Sequence, residues 1–111
     1  VSHSTYWLID RHREIVAVSN VRHSLTPNLM REGGHIGYSV RPSRRGEGLG
    51  TAVLRESLQK ARQLGLTRVL ITCGKENLRS ARVIQRNHGQ FDSEEFIEVR
   101  EETVQRYWID L

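Results

Sequence analysis

The chain has 111 residues, enough for one compact domain (1–111) and too few for two with separate cores. With 37% hydrophobic and 27% charged residues it reads as folded and soluble. No apolar run approaches the ~20 residues that span a bilayer, and Val1-Ser2-His3-Ser4 contains no apolar signal region, so a cytoplasmic protein without a membrane partner is expected.

Net charge of +4 favours anionic partners, a class that covers nucleic acid, membrane surface and phosphorylated cofactors without choosing among them. Cys73 is the single cysteine, which excludes an intrachain disulfide and any cysteine-based zinc spacing. Its place in the apolar run Val69-Leu70-Ile71-Thr72-Cys73 predicts a buried, inert thiol. A first residue of Val instead of Met suggests that the chain begins partway through a longer protein.

Thr5 to Asp10 and Glu14 to Ser19 are rich in β-branched and aromatic residues and predict an antiparallel hairpin. Thr26-Pro27 forms a helix start and Gly33-Gly34 a stop, predicting one short helix between them. A third strand is expected over His35 to Val40, ended by Arg41-Pro42. From Leu49 to Leu64 apolar residues recur every three or four positions, the signature of an amphipathic helix that Gly65 stops.

Arg68 to Cys73 fits a strand buried on both faces. The strand, helix, strand order implies a parallel neighbour, with Val40 and Val69 on adjacent strands. Asn77 is a cap for a second helix, Leu78 to about Asn87, with Leu78, Ala81 and Ile84 facing inward. Two closing strands are expected over Gln90 to Val99 and Thr103 to Asp110.

Arg44-Arg45-Gly46-Glu47-Gly48-Leu49-Gly50-Thr51 sets three alternate glycines between the third strand and the long helix. Glycine lets a backbone approach a ligand closely, and free N–H groups at a helix start face negative charge, so this segment has the layout of a pyrophosphate-binding loop. A Walker loop fails, because five residues beyond Gly46 stands Thr51 and no lysine follows any glycine of this segment. The dinucleotide fingerprint fails too, its third glycine position being Thr51 or Val53. Taken alone, the loop is also compatible with a plain turn.

Arg45-Gly46-Glu47-Gly48-Leu49-Gly50 nevertheless resembles the acetyl-coenzyme A loop of the GNAT N-acetyltransferase superfamily. Asn77, Ser80, Arg86 and Gly89 repeat that superfamily's pattern on the helix after its next strand. His35 to Phe91 is similar to the cofactor half of such a domain. Gly34 to Pro42 and Arg106-Tyr107-Trp108-Ile109 are similar to one group of small bacterial members.

The resemblance implies an α/β (α+β) fold with a mixed central sheet, a parallel crossover and flanking helices, here lacking the usual N-terminal strand and two helices. It also implies acetyl-CoA as acyl donor and transfer by direct attack of a primary amine, from a small molecule or a peptide. An absent front wall would expose core surface, so a homodimer is expected. The alternatives are a non-catalytic acyl-CoA-binding module, a decayed fragment, or a basic nucleic-acid binder. The last has little support, since aromatics are 6% of residues and no nucleic-acid motif occurs.

On that resemblance the cofactor-binding residues are Val40, Arg45, Gly46, Glu47, Gly48, Leu49, Gly50, Thr51, Asn77 and Ser80. Val40 corresponds to the strand position whose N–H meets the acetyl carbonyl or the pantetheine. Asn77 is also a plain helix cap and Ser80 a small packing residue. Arg79, Arg82 and Arg86 read as a solvated face, with the 3′-phosphate of coenzyme A as the other reading. His35 is the leading general base, His23 and Glu32 being weaker choices, against the plainer reading of a histidine bonded inside the sheet. Many members carry a proton-donating tyrosine seven residues after the helix-starting Asn, but here Ile84 stands there, leaving Tyr38 as a substitute acid or a core residue.

Overall fold

The computed structural model describes residues 2–111; Val1 lies outside the described residues. Strands β1 (His3–Ile9) and β2 (Ile15–Arg22) form the expected hairpin. Asp10 ties its turn, since Oδ1 accepts the N–H of His12 at 2.8 Å and of Glu14 at 3.0 Å. Strand β3 (Ile36–Val40) adds antiparallel to β2. Strands β4 (Arg68–Gly74), β5 (Gln90–Ile97) and β6 (Glu102–Asp110) make a second antiparallel sheet in the order β4-β6-β5.

Three helices complete the fold: α1 (Pro27–Glu32), α2 (Leu49–Gln63) and α3 (Leu78–Arg86). Thr26 caps α1 by accepting the Leu29 N–H, as its sequence predicts. Helix α2 buries Val53, Leu54, Ser57 and Ala61, with Ser57 Oγ bonded to Ser19 Oγ of β2 at 2.7 Å. The inward stripe of α3 is Val83 and Ile84, whereas Leu78, expected inside, is exposed because it sits at the first turn beyond the end of the core. Leu54, Val69, Ile71, Ile84 and Ile109 join Val21 and Ile36 in one core between the sheets and helices.

The α/β class is as expected, but the sheet is divided. Each three-stranded set is antiparallel, and among the described residues no ladder joins β3 to β4. Contact between them is made at one end, where the His35 N–H donates to Leu70 O at 2.7 Å. Val40 and Val69 thus lie on neighbouring strands, as expected, but the parallel pairing expected of those strands does not extend beyond this end. Gly34 turns the chain into this junction at φ +70, and a Cβ there would lie 2.5 Å from Leu70 O, so only glycine fits. The two sheets therefore form a fork, and α2 and α3 start at its open side.

Candidate functional site

A cleft of about 650 Å³ lies along the fork. Tyr38, Ser39 and Val40 of β3 form one wall, Arg45, Gly46 and the stretch Gly48 to Thr51 a second, and the Glu76–Ser80 segment with Arg82, Val83 and Arg86 a third. Its size suits a small-molecule or cofactor site.

The backbone of the loop is arranged as a donor array. Gly46 and Gly48 take φ +86 and +78, and nothing lies within 4 Å of the Cβ either would carry. Ala52 is the first residue whose N–H is taken up, by Gly48 O at 3.2 Å. The N–H groups of Gly46 through Thr51 have no acceptor among the described residues, and four of them belong to the start of α2, where the helix dipole adds positive potential. Gly50 has another function. Its missing side chain lets α2 approach α3, for a Cβ would stand 3.1 Å from Val83 Cγ2.

The register of β3 supplies further donors. Arg22 N–H bonds His35 O and Arg41 N–H bonds Val16 O, so positions 36, 38 and 40 fall on the non-hydrogen-bonded pairs with β2. Their N–H groups point away from β2, toward the fork that β4 leaves unpaired. Val40 thus offers an open N–H to the cleft it lines.

At the start of α3, Asn77 Oδ1 accepts the Ser80 N–H at 3.1 Å, leaving the Asn77 amide N–H₂ free. Ser80 is more than a small packing residue, because its Oγ stands 3.0 Å from the Tyr38 hydroxyl. Burial pushes the Tyr38 phenol up, with the Ser80 bond opposing that shift, so it stays protonated at neutral pH.

Charge in the cleft is mainly positive. Arg45, Arg79, Arg82 and Arg86 all line it, and the ion pairs among the described residues involve none of them. The arginine stripe of α3 is therefore a cleft wall. Sequence reading missed that, since helical spacing shows that the three share a face and not what the face meets. Glu76 and Leu78 also line the cleft and were not anticipated.

Other expected residues lie elsewhere. The Glu47 carboxylate turns back to Arg44 (Nε to Oε2, 3.0 Å), which also grips Asp10 at 2.8 Å, so Glu47 braces the loop from outside the cleft. His35 is 7% exposed and is not a cleft residue; its Nδ1 accepts the Leu70 N–H at 2.8 Å. Burial, with Arg22 nearby, lowers its pKa. Ile84 is in the core, packed over Gly89. Cys73 is buried and its thiol pushed up by burial, as expected of an inert cysteine. Among the described residues no helix is long and apolar enough to cross a membrane, and no cluster of metal-ligating residues occurs.

Comparison with known proteins gives a consistent picture. The family described as "Acetyltransferase (GNAT) domain" matches residues 2–90. A search of curated proteins returns no match. Among solved structures, a candidate phosphinothricin N-acetyltransferase superposes with TM-score 0.77 at 16% identity, over 96% of this chain and 70% of that one. A variant of the spermidine N-acetyltransferase of Vibrio cholerae gives 0.76 at 14%, over 97% of this chain and 65% of its own. A Salmonella typhimurium protein described as a candidate acetyltransferase, solved with its cofactor acetyl-CoA, gives 0.68 at 15%, over 87% and 58%. This chain thus spans between 58% and 70% of the length of those three proteins.

Proposed function

This chain belongs to the GNAT acetyltransferase family, and from that premise we propose that it transfers the acetyl group of acetyl-CoA to a primary amine by direct attack. The observation that carries this reading is the open N–H array from Gly46 to Thr51, facing four arginines that have no carboxylate partner among the described residues. Such a cleft fits a ligand that is polyanionic at one end and a neutral amide chain further in.

When bound, acetyl-CoA supplies a thioester-activated acetyl group. The N–H groups of Gly46, Gly48, Gly50 and Thr51 hold the pyrophosphate, helped by Arg45 and the positive end of α2. Arg79, Arg82 and Arg86 neutralise the 3′-phosphate. The Asn77 N–H₂ and the Val40 N–H bind the pantetheine amides and, at its end, the carbonyl oxygen on which charge develops. Tyr38 Oη, kept protonated by burial and held by Ser80 Oγ, would supply the proton that the sulfur needs on leaving and regain one, through solvent, from the attacking amine. His35 takes no proton in this reading, because its Nδ1 lone pair already accepts from Leu70.

The acceptor is a small amine, a class that the spermidine and phosphinothricin enzymes of this fold support. Trp7 and Ile9 stand exposed on the edge strand β1, which supports a homodimer. A second reading, binding of acyl-CoA without transfer, is favoured by Ile84 occupying the core where many relatives place the acid.

Acetyl-CoA titration separates these readings from a nucleic-acid binder. At a hundred times Kd a specific ligand adds about 2.7 kcal/mol, which raises melting by about 11–22 °C. No rise with acetyl-CoA refutes the cofactor assignment. Thiol release is then followed across a panel of polyamines, amino acids and peptides; tight cofactor binding with silence toward all of them selects the non-catalytic reading.

A further inference from the structure

Three hydrogen bonds converge on His35 at the closed end of the fork. Its N–H donates to Leu70 O of β4 at 2.7 Å, its carbonyl accepts the Arg22 N–H of β2 at 2.7 Å, and its Nδ1 accepts the Leu70 N–H at 2.8 Å. Main-chain N–H and C=O of one strand residue normally face the same neighbour; here they serve different sheets, so the backbone twists as it passes between them.

That twist leaves the Leu70 N–H without a β3 carbonyl. The carbonyls of Gly33 and Gly34 are held by the Arg22 guanidinium at 3.2 and 3.0 Å, and that of His35 by the Arg22 N–H. A buried N–H left unpaired is unfavourable, and the imidazole removes that penalty. It does so only when Nδ1 carries no proton.

We propose that His35 is a positioning residue for cofactor binding: its Nδ1 replaces the missing ladder carbonyl, pins β3 to β4 at one point, and so sets the fork opening in which Tyr38 and Val40 meet their ligand. Tyr38 lies three residues along β3 from this pin and Val40 five, with no ladder to β4 between them to correct an error. A change of angle at His35 therefore moves both. The groups packed around the imidazole are Arg22 from β2, Leu70 from β4 and Trp108 from β6, whose ring carries the Arg68 guanidinium. Burial and the positive charge of Arg22 both oppose protonation. The inference rests on the cleft holding acetyl-CoA, but its geometry can be read without that ligand.

The test compares wild type with His35→Asn, whose side-chain oxygen can replace Nδ1, and His35→Phe, which keeps a ring and loses the acceptor. Acetyl-CoA affinity is measured by calorimetry, Leu70 amide protection by hydrogen exchange, and the Tyr38 to Ser80 contact by nuclear Overhauser effect. His35→Asn should keep all three, and His35→Phe should weaken acetyl-CoA binding about tenfold or more while losing Leu70 protection and the Tyr38 contact. A folded His35→Phe protein with native affinity overturns the proposal, as does a His35→Asn protein as impaired as His35→Phe. If His35→Phe does not fold, nitrogen NMR of wild type decides: a protonated Nδ1 at neutral pH overturns the proposal, and a bare Nδ1 with His35→Asn intact supports it. Should wild type not bind acetyl-CoA, the proposed function fails by itself, and Leu70 protection and the Tyr38 contact still judge the pin.

Discussion

Replacing Gly48 by Ala isolates backbone conformation from packing. Gly48 precedes α2 in the left-handed region, at φ 78 and ψ 10, and a Cβ there meets nothing within 4 Å. The penalty is therefore conformational alone. A left-handed backbone costs an L-residue about 1–2 kcal/mol, and the smaller freedom of Ala in the unfolded chain offsets about 0.4–1 kcal/mol. About 1 kcal/mol net remains, a fall in melting temperature of about 4–8 °C in calorimetry. Because positive φ at Gly46 and Gly48 aims the loop N–H groups, relaxation of the strain should also weaken acetyl-CoA binding about tenfold, or about 1.4 kcal/mol. Gly48→Asn, which tolerates this region, should restore most of both. A melting loss far above 8 °C refutes the open-space reasoning, and the expected melting loss with unchanged affinity refutes the role of the loop.

Tyr38→Phe should lower kcat about 10²-fold or more with little change in acetyl-CoA affinity, seen in steady-state rates set beside calorimetry; equal loss in both would make Tyr38 a packing residue only. Arg82→Gln and Arg86→Gln should each weaken coenzyme A several-fold, by roughly 1 kcal/mol, and flatten the salt dependence of binding, while dephospho-coenzyme A should be insensitive to both changes. Asp10 has a pKa lowered to about 2, first by the Glu14 N–H and then by Arg44. Its folded value lies below the unfolded one, so its contribution to stability is complete above about pH 3.8 and disappears as pH falls through about 2. Carboxyl-carbon NMR should show that midpoint, and Arg44→Gln should raise it only part of the way to 3.8.

Much of this protein was open to inference from local spacing. Apolar periodicity located α2 and α3 to within a residue or two, because a helix repeats its buried face every three to four positions. Thr26-Pro27 and Asn77 marked helix starts for the same local reason, since a cap bonds an N–H only three residues away. The glycines at 46, 48 and 50 signalled an unusual backbone, and two of them have the positive φ that favours glycine.

Long-range geometry decided the rest. Nothing local to His35 shows that its imidazole replaces a carbonyl of the strand beside β4, a contact 35 positions away in sequence. Tyr38 and Ser80 are 42 positions apart and meet only because α3 packs across the fork. The pattern of Arg79, Arg82 and Arg86 is identical on a solvated face and on a cleft wall; the position of the loop from Arg45 to Thr51 makes it the latter. Division of the expected mixed sheet into two has the same origin. Strand propensity comes from the side chains of β3 and β4, but their pairing depends on the turn at Gly34 and the bonds at His35, which hold the strands together at one end and leave the other open.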